Sequence, residues 1–230
     1  MHNQSKNIEL IKIIATGLGQ DLLEKVIFVG GSVVGLYSTK ISAQDVRFTE
    51  DIDCIISLAS KKDFNNLESI IRKKGFENDI RKAAPICRWV YQDITVDIMP
   101  DDPKILGFSN TWYKAGVNST ISSSVSNGIV IKILSPEYFI ASKLEAHFNR
   151  GGLDIRFSTD FSDIVYLLNN RPEISDEVLN TDVPVKNFII DSFKKLLSDV
   201  SIEEAIEVSL PRGLKVNKII DIMNKITNTV

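Results

Sequence analysis

The sequence predicts an α+β fold. Three observations predict it: short apolar runs closed by glycine or by a two-residue polar turn occupy the first half, helical periodicity takes over near residue 134, and no strand-like run of comparable strength follows residue 133. A mixed β-sheet domain with flanking helices is therefore expected over residues 1–133, and an all-helical domain over residues 134–230. The 230 residues are enough for one large or two modest cores, and 43% hydrophobic with 25% charged residues is ordinary globular composition.

The elements follow in order. Ile8, Ile11, Ile14, Leu18 and Leu22 recur at helical spacing across residues 5–24, interrupted by Gly17 and Gly19. "KVIFVGG" reads as a buried strand entering a tight turn, and "SVVGLYSTK" starts a short helix whose first N–H groups point back at that turn. "IDCIISL" is a second strand, and "KKDFNNLESIIRKKGF" is a helix stopped at Gly75. "ICRWVYQ" and "ITVDIMP" form a hairpin around Gln92 and Asp93. "LSPEYFIASKLEAHFNRG" opens the helical half, with Ser135 as N-cap, Pro136 at the first position and Gly151–Gly152 past its end.

Bulk properties narrow the function. A net charge of -3 argues against a protein that coats nucleic acid, although a local basic patch such as Arg212, Lys215 and Lys218 can still guide phosphates or simply form a solvated face. Two cysteines and two histidines, none at ligand spacing, leave no structural zinc site, and Cys54 and Cys87 read as small core hydrophobes. No serine sits in a G-x-S-x-G elbow. The N-terminus lacks the pattern of a secretory signal and no run is long enough to span a membrane, so a cytoplasmic protein without membrane contact is expected. Carboxylates remain.

Asp51 and Asp53 flank one isoleucine in an apolar strand, where an unpaired charge is expensive. Alone, the pair reads as a strand end neutralised by Arg47. The upstream "GGS" changes that reading, because Gly30 and Gly31 let backbone approach a ligand and the next helix start offers N–H donors, with the Ser32 hydroxyl, to phosphate oxygens. By strand alternation Asp51 and Asp53 share a face, and Asp97 lies opposite Ile94, Val96 and Ile98 on its own strand. Three such acids suit magnesium, which prefers carboxylates combined with substrate phosphates. A salt bridge to Arg47 does not require the third.

In this order "VGGS", "DID" and "VDI" resemble the nucleotidyltransferase superfamily. "RFTEDIDCII" followed by "LSPEYFIASKLEAHFNR" and "STDFSDIVYLL" is similar to its AbiEii-type toxin branch, the nucleotidyltransferase half of abortive-infection and toxin–antitoxin pairs. The resemblance implies a nucleotidyltransferase-like sheet domain. It implies that Gly30, Gly31 and Ser32 contact the triphosphate, that Asp51 and Asp53 ligate Mg2+, two ions in all, and that Asp97 is a further ligand or a base. Lys143 of "SKLEA" would face the nucleotide, and Asp160 of "STDFSDI" would lie near the active site. Asp163, one turn on, reads as solvated or as an outer contact, His147 as a satisfied helix residue, and Arg47 as either a phosphate contact or an ion-pair partner.

The expected activity is magnesium-dependent transfer of a nucleoside monophosphate from an NTP to an acceptor hydroxyl. The branch implies a growth inhibitor with a cognate antitoxin and an RNA acceptor such as a tRNA 3′ end. A small-molecule, antibiotic-type nucleotidyltransferase and an inactive nucleotide-binding module are the alternatives. A basic rim would favour RNA over a cationic drug, and intact Asp51, Asp53 and Asp97 argue against an inactive module.

Overall fold

A computed structural model describes residues 3–40, 46–81, 83–150 and 154–228. The chain divides into two compact units. The first comprises Met1–Gly35 with Arg47–Ser135, and the second Leu36–Val46 with Pro136–Val230.

In the first unit α1 (Asn3–Leu23) buries Ile11, Ile14 and Leu18 completely, and Gly19 interrupts its helical geometry at φ 67°. β1 (Val26–Val29) and β2 (Asp51–Ile56) follow. α2 (Lys61–Lys73) begins where Ser60 Oγ accepts the Asp63 N–H at 3.2 Å, and ends before Gly75, which turns the chain at φ 89°. Its Phe64, Leu67 and Ile71 are buried, worth about 1.5–3 kcal/mol each relative to exposure. β3 (Glu77–Asn78), β4 (Arg88–Tyr91) and β5 (Ile94–Pro100) come next. Between β4 and β5 stand Gln92 (φ 48°) and Asp93 (φ 64°), the positive pair that a two-residue hairpin turn needs to match strand twist.

α3 (Pro103–Leu106) and α4 (Tyr113–Gly116) are single turns leading to β6 (Thr120–Ser126) and β7 (Ile129–Leu134). This last hairpin, closed at Asn127–Gly128, was not among the sequence expectations. It completes a seven-stranded sheet of order β3-β4-β5-β2-β1-β7-β6. β1 pairs antiparallel with β2 and parallel with β7, while β2 and β5 are parallel. The sheet is therefore mixed, and the fold is α+β. Phe28, Phe76 and Trp89 are among its fully buried side chains.

The second unit is helical over its described residues from 136 onward: α5 (Pro136–Asn149), α6 (Thr159–Asn170), α7 (Ile174–Asn180), α8 (Val183–Leu197), α9 (Ile202–Ser209) and α10 (Val216–Thr227). The Gly151–Gly152 pair lies outside the described residues. α5 packs on α6, α7 and α8 around Phe139, Phe161, Ile189 and Phe193, all fully buried. Residues 36–40 run along the end of α6, where Thr39 N–H donates to Asn170 O at 3.3 Å and Arg171 Nη1 donates to Tyr37 O at 3.0 Å. The Tyr37 and Phe139 ring centroids are 4.6 Å apart. Among the described residues no helix is long and apolar enough to cross a membrane.

Candidate active site

The glycine turn and the D-x-D strand meet because β1 and β2 are neighbours. Val29 stands opposite Asp53, so the turn after β1 begins beside that carboxylate. Gly30 takes φ 74°, and a Cβ added there would lie 2.0 Å from Asp53 Oδ2. Only glycine permits both the conformation and the approach. A 3₁₀ helix (Gly31–Tyr37) follows, as expected of a short helix there. Its Ser32 is buried, and Ser32 Oγ has no hydrogen-bond partner among the described residues. A buried hydroxyl is normally satisfied by protein, water or a ligand, so Ser32 Oγ has its capacity left for one of the last two.

Strand register places the acids. Asp53 stands opposite Asp97 and Asp51 opposite Thr95 in the parallel β2–β5 pair. All three carboxylates therefore share one sheet face, while Ile52 and Cys54, fully buried, occupy the other. Burial, then the Asp53 and Asp97 charges, pushes the Cys54 thiol up, and burial followed by Asp97 raises Cys87 to about 12. Both cysteines are neutral and buried, as expected of core residues.

Asp97 is already engaged. Arg88 stands directly across the β4–β5 pair, with Nε donating to Oδ1 at 2.8 Å and Nη2 to Oδ2 at 2.7 Å. This bidentate pair raises the Arg88 guanidinium above its ordinary value, the Asp97 hydrogen bonds being the chief cause. As placed, Asp97 is an arginine's partner rather than a free third ligand. Among the described residues no group of three or more His, Cys, Asp or Glu side chains is gathered to hold a metal. Asp51 and Asp53, beside the Gly30 turn and the Ser32 hydroxyl, carry the hard oxygen donors that suit magnesium with phosphate.

Beside them lies a cavity of about 460 Å³ lined by Arg47, Phe48, Thr49, Glu50, Asp51, Arg81, Arg88 and Thr95. Arg81 is tied to Asp79, with Nε 2.8 Å from Oδ1. The approach to β2 is held from α1 by Asn7, whose Nδ2 donates to Arg47 O at 2.9 Å and whose Oδ1 accepts the Thr49 N–H at 3.2 Å. Asn7 and Arg88 were missed by sequence reasoning. A two-residue turn at Gln92–Asp93 already pairs Arg88 with Asp97 by counting outward, whereas no local pattern announces Asn7.

The second unit presents a separate charged cluster. Lys143 on α5 and Asp160 and Asp163 on α6 are each nearly inaccessible, at 7%, 3% and 3% exposure. Lys143 Nζ lies 3.1 Å from Asp160 Oδ1 and 2.7 Å from Asp163 Oδ2, the closer contact being Coulombic rather than a well-angled hydrogen bond. Arg150 Nη1 adds a contact to Asp160 Oδ2 at 3.2 Å. Burial disfavours the Lys143 charge, but Asp163 and then Asp160 outweigh it and raise its pKa. Asp163 is thus not a solvated residue but the nearest partner of Lys143. His147, as expected, is satisfied: Nδ1 lies 2.8 Å from Ser158 Oγ, which also accepts the Phe161 N–H at the start of α6.

A comparison with curated proteins found no match. Among solved structures the chain is similar to the crystal structure of JHP933 from Helicobacter pylori, with a TM-score of 0.51 and 15% identity over 98% of this chain and 92% of that one. At that identity the likeness speaks for the fold. The family model described as nucleotidyl transferase AbiEii toxin, type IV TA system, matches residues 19–212, most of the chain, a span that includes the turn, the D-x-D strand and the Lys143 cluster. The chain belongs to the AbiEii nucleotidyl transferase toxin family of type IV toxin–antitoxin systems.

Proposed function

We propose that this protein transfers a nucleoside monophosphate from an NTP to an acceptor hydroxyl, with release of pyrophosphate, and that it does so with Mg2+ held by Asp51 and Asp53. One observation carries the reading: the D-x-D carboxylates lie on one face with Asp97, against a turn whose Gly30 admits no side chain and whose Ser32 hydroxyl has no partner among the described residues. Bound magnesium would neutralise the charge that develops on the transferring phosphoryl group.

The chain's own groups do the rest. Ser32 Oγ and the backbone around Gly31 bind phosphate oxygens of the leaving pyrophosphate. Asp97, once released by Arg88, either joins Asp51 and Asp53 or accepts the proton of the attacking hydroxyl, while the freed Arg88 turns its charge to phosphate. Lys143, its charge secured by Asp160 and Asp163, is the residue we assign to a nucleotide phosphate.

The acceptor is RNA, a tRNA 3′ end being the simplest case, and a cognate antitoxin restrains the enzyme. Three arginines, Arg47, Arg81 and Arg88, line the cavity against two acids, Glu50 and Asp51, a balance that favours an anionic acceptor over a cationic drug once a metal takes up Asp51. Each labelled NTP in turn, with magnesium and total cellular RNA, tests the proposal. Label should enter RNA from one NTP, and the Asp53→Ala variant should transfer none. Transfer to no RNA, protein or small molecule from any NTP would overturn it.

A further inference from the structure

Two lysines in the second unit compete for one oxygen. Lys218 Nζ donates to the Asn169 carbonyl at 2.8 Å and to Asn169 Oδ1 at 2.7 Å, and Lys40 Nζ donates to the same carbonyl. Neither ammonium meets a carboxylate among the described residues. Asn169 lies in the last turn of α6, and a helix C-terminus attracts cations because its unpaired carbonyls carry about half a negative charge. That half charge accounts for less than one lysine. With two, more than a full positive charge stands uncompensated among the described residues.

The first turn of α10 adds no relief. Lys218 sits in the first turn of α10, a helix with no acid in that turn and no side-chain cap from Lys215, so the nearby backbone adds positive rather than negative potential. We propose that Lys40 and Lys218 form a binding site for a phosphate group, the missing anion replacing their mutual repulsion with two charge-assisted hydrogen bonds. Asn169 then serves as the post that orients both ammonium groups. Burial, and after it the facing Lys40 ammonium, holds Lys218 down to about 8. The site requires nothing of Asp51, Asp53 or Asp97, so it stands or falls apart from the transferase reading.

Calorimetric titration at low ionic strength tests it, with inorganic phosphate, pyrophosphate and a short single-stranded RNA oligomer as probes. Ser32→Ala protein, in which the glycine turn lacks its hydroxyl, should still bind phosphate saturably, and adding Lys40→Gln or Lys218→Gln should each weaken that binding by roughly tenfold or more, the worth of one charge-assisted hydrogen bond. Lys215→Gln is the control for diffuse surface charge and should change binding little. Circular dichroism establishes that each variant is folded, and NMR of the lysine side chains should show the Lys218 pKa rising when phosphate binds. An oligomer that displaces phosphate supports a nucleic-acid backbone as the natural source, and one that leaves it in place supports a free or nucleotide-borne phosphate. Absence of saturable binding by all three probes, equal loss in Lys215→Gln, or unchanged binding in both Lys40→Gln and Lys218→Gln would overturn the proposal.

Discussion

Arg88 and Asp97 face each other across adjacent antiparallel strands in a bidentate pair, with N–O distances of 2.8 and 2.7 Å. The pair sits where the third carboxylate of the acidic face would meet a metal. Arg88 is thus a resident cation that competes with a divalent ion for Asp97.

Arg88→Gln should therefore bind Mn2+ more tightly than wild type, by roughly three- to tenfold, the worth of a partly exposed pair of about 1 kcal/mol. Electron paramagnetic resonance of free Mn2+ measures this without any turnover. Equal affinity in the two proteins would mean that Asp97 takes no part in metal binding.

Gly30→Ala should destabilise the first unit by about 2–4 kcal/mol, because the new Cβ meets Asp53 Oδ2 at 2.0 Å and the backbone stays at φ 74°. Placing the same change in an Asp53→Ala background should recover part of that loss, the part due to the carboxylate. Urea unfolding of the four proteins of this cycle reads the coupling, and strictly additive losses would contradict the contact.

Lys143→Met leaves Asp160 and Asp163 buried without their shared cation and should destabilise by about 3–5 kcal/mol. Adding Asp160→Asn and Asp163→Asn should restore most of it. In the wild type the raised Lys143 pKa means that its stabilising contribution is full below the ordinary lysine value of 10.5 and fades as pH rises through the higher folded value. Thermal melts between neutral and strongly alkaline pH should show this loss in wild type and not in the triple variant.

His147 works in the opposite direction. Burial lowers its pKa below 6.5, so the unfolded chain takes up the proton first. Its contribution is full above 6.5 and declines as pH falls below that value toward the folded pKa. His147→Gln should flatten the stability profile in that window, and NMR titration should place the His147 pKa below 6.5.

Much of the site was legible in the chain. The period-2 rule put Asp51, Asp53 and Asp97 on their proper faces, and the glycine pair marked the turn they adjoin, because both signals are local. Arg88 was legible in principle from the Gln92–Asp93 turn, but only by carrying register outward through the hairpin. The β6–β7 hairpin hid behind the serine-rich "TISSSVS", which buries little and so shows no apolar pattern, although Asn127–Gly128 is a strong turn signal. Asn7 and the pairing of Lys143 with Asp163 depend on packing between separate elements, which no spacing within one element reports.

The central claim is that Asp51 and Asp53 hold the metal beside the Gly30 turn. A crystal grown with Mn2+ and an NTP whose α,β-bridge resists cleavage tests it most directly. The account predicts an anomalous peak bonded to carboxylate oxygens of Asp51 and Asp53, with a phosphate oxygen on Ser32 Oγ. Manganese bound elsewhere, with those carboxylates untouched, would contradict it.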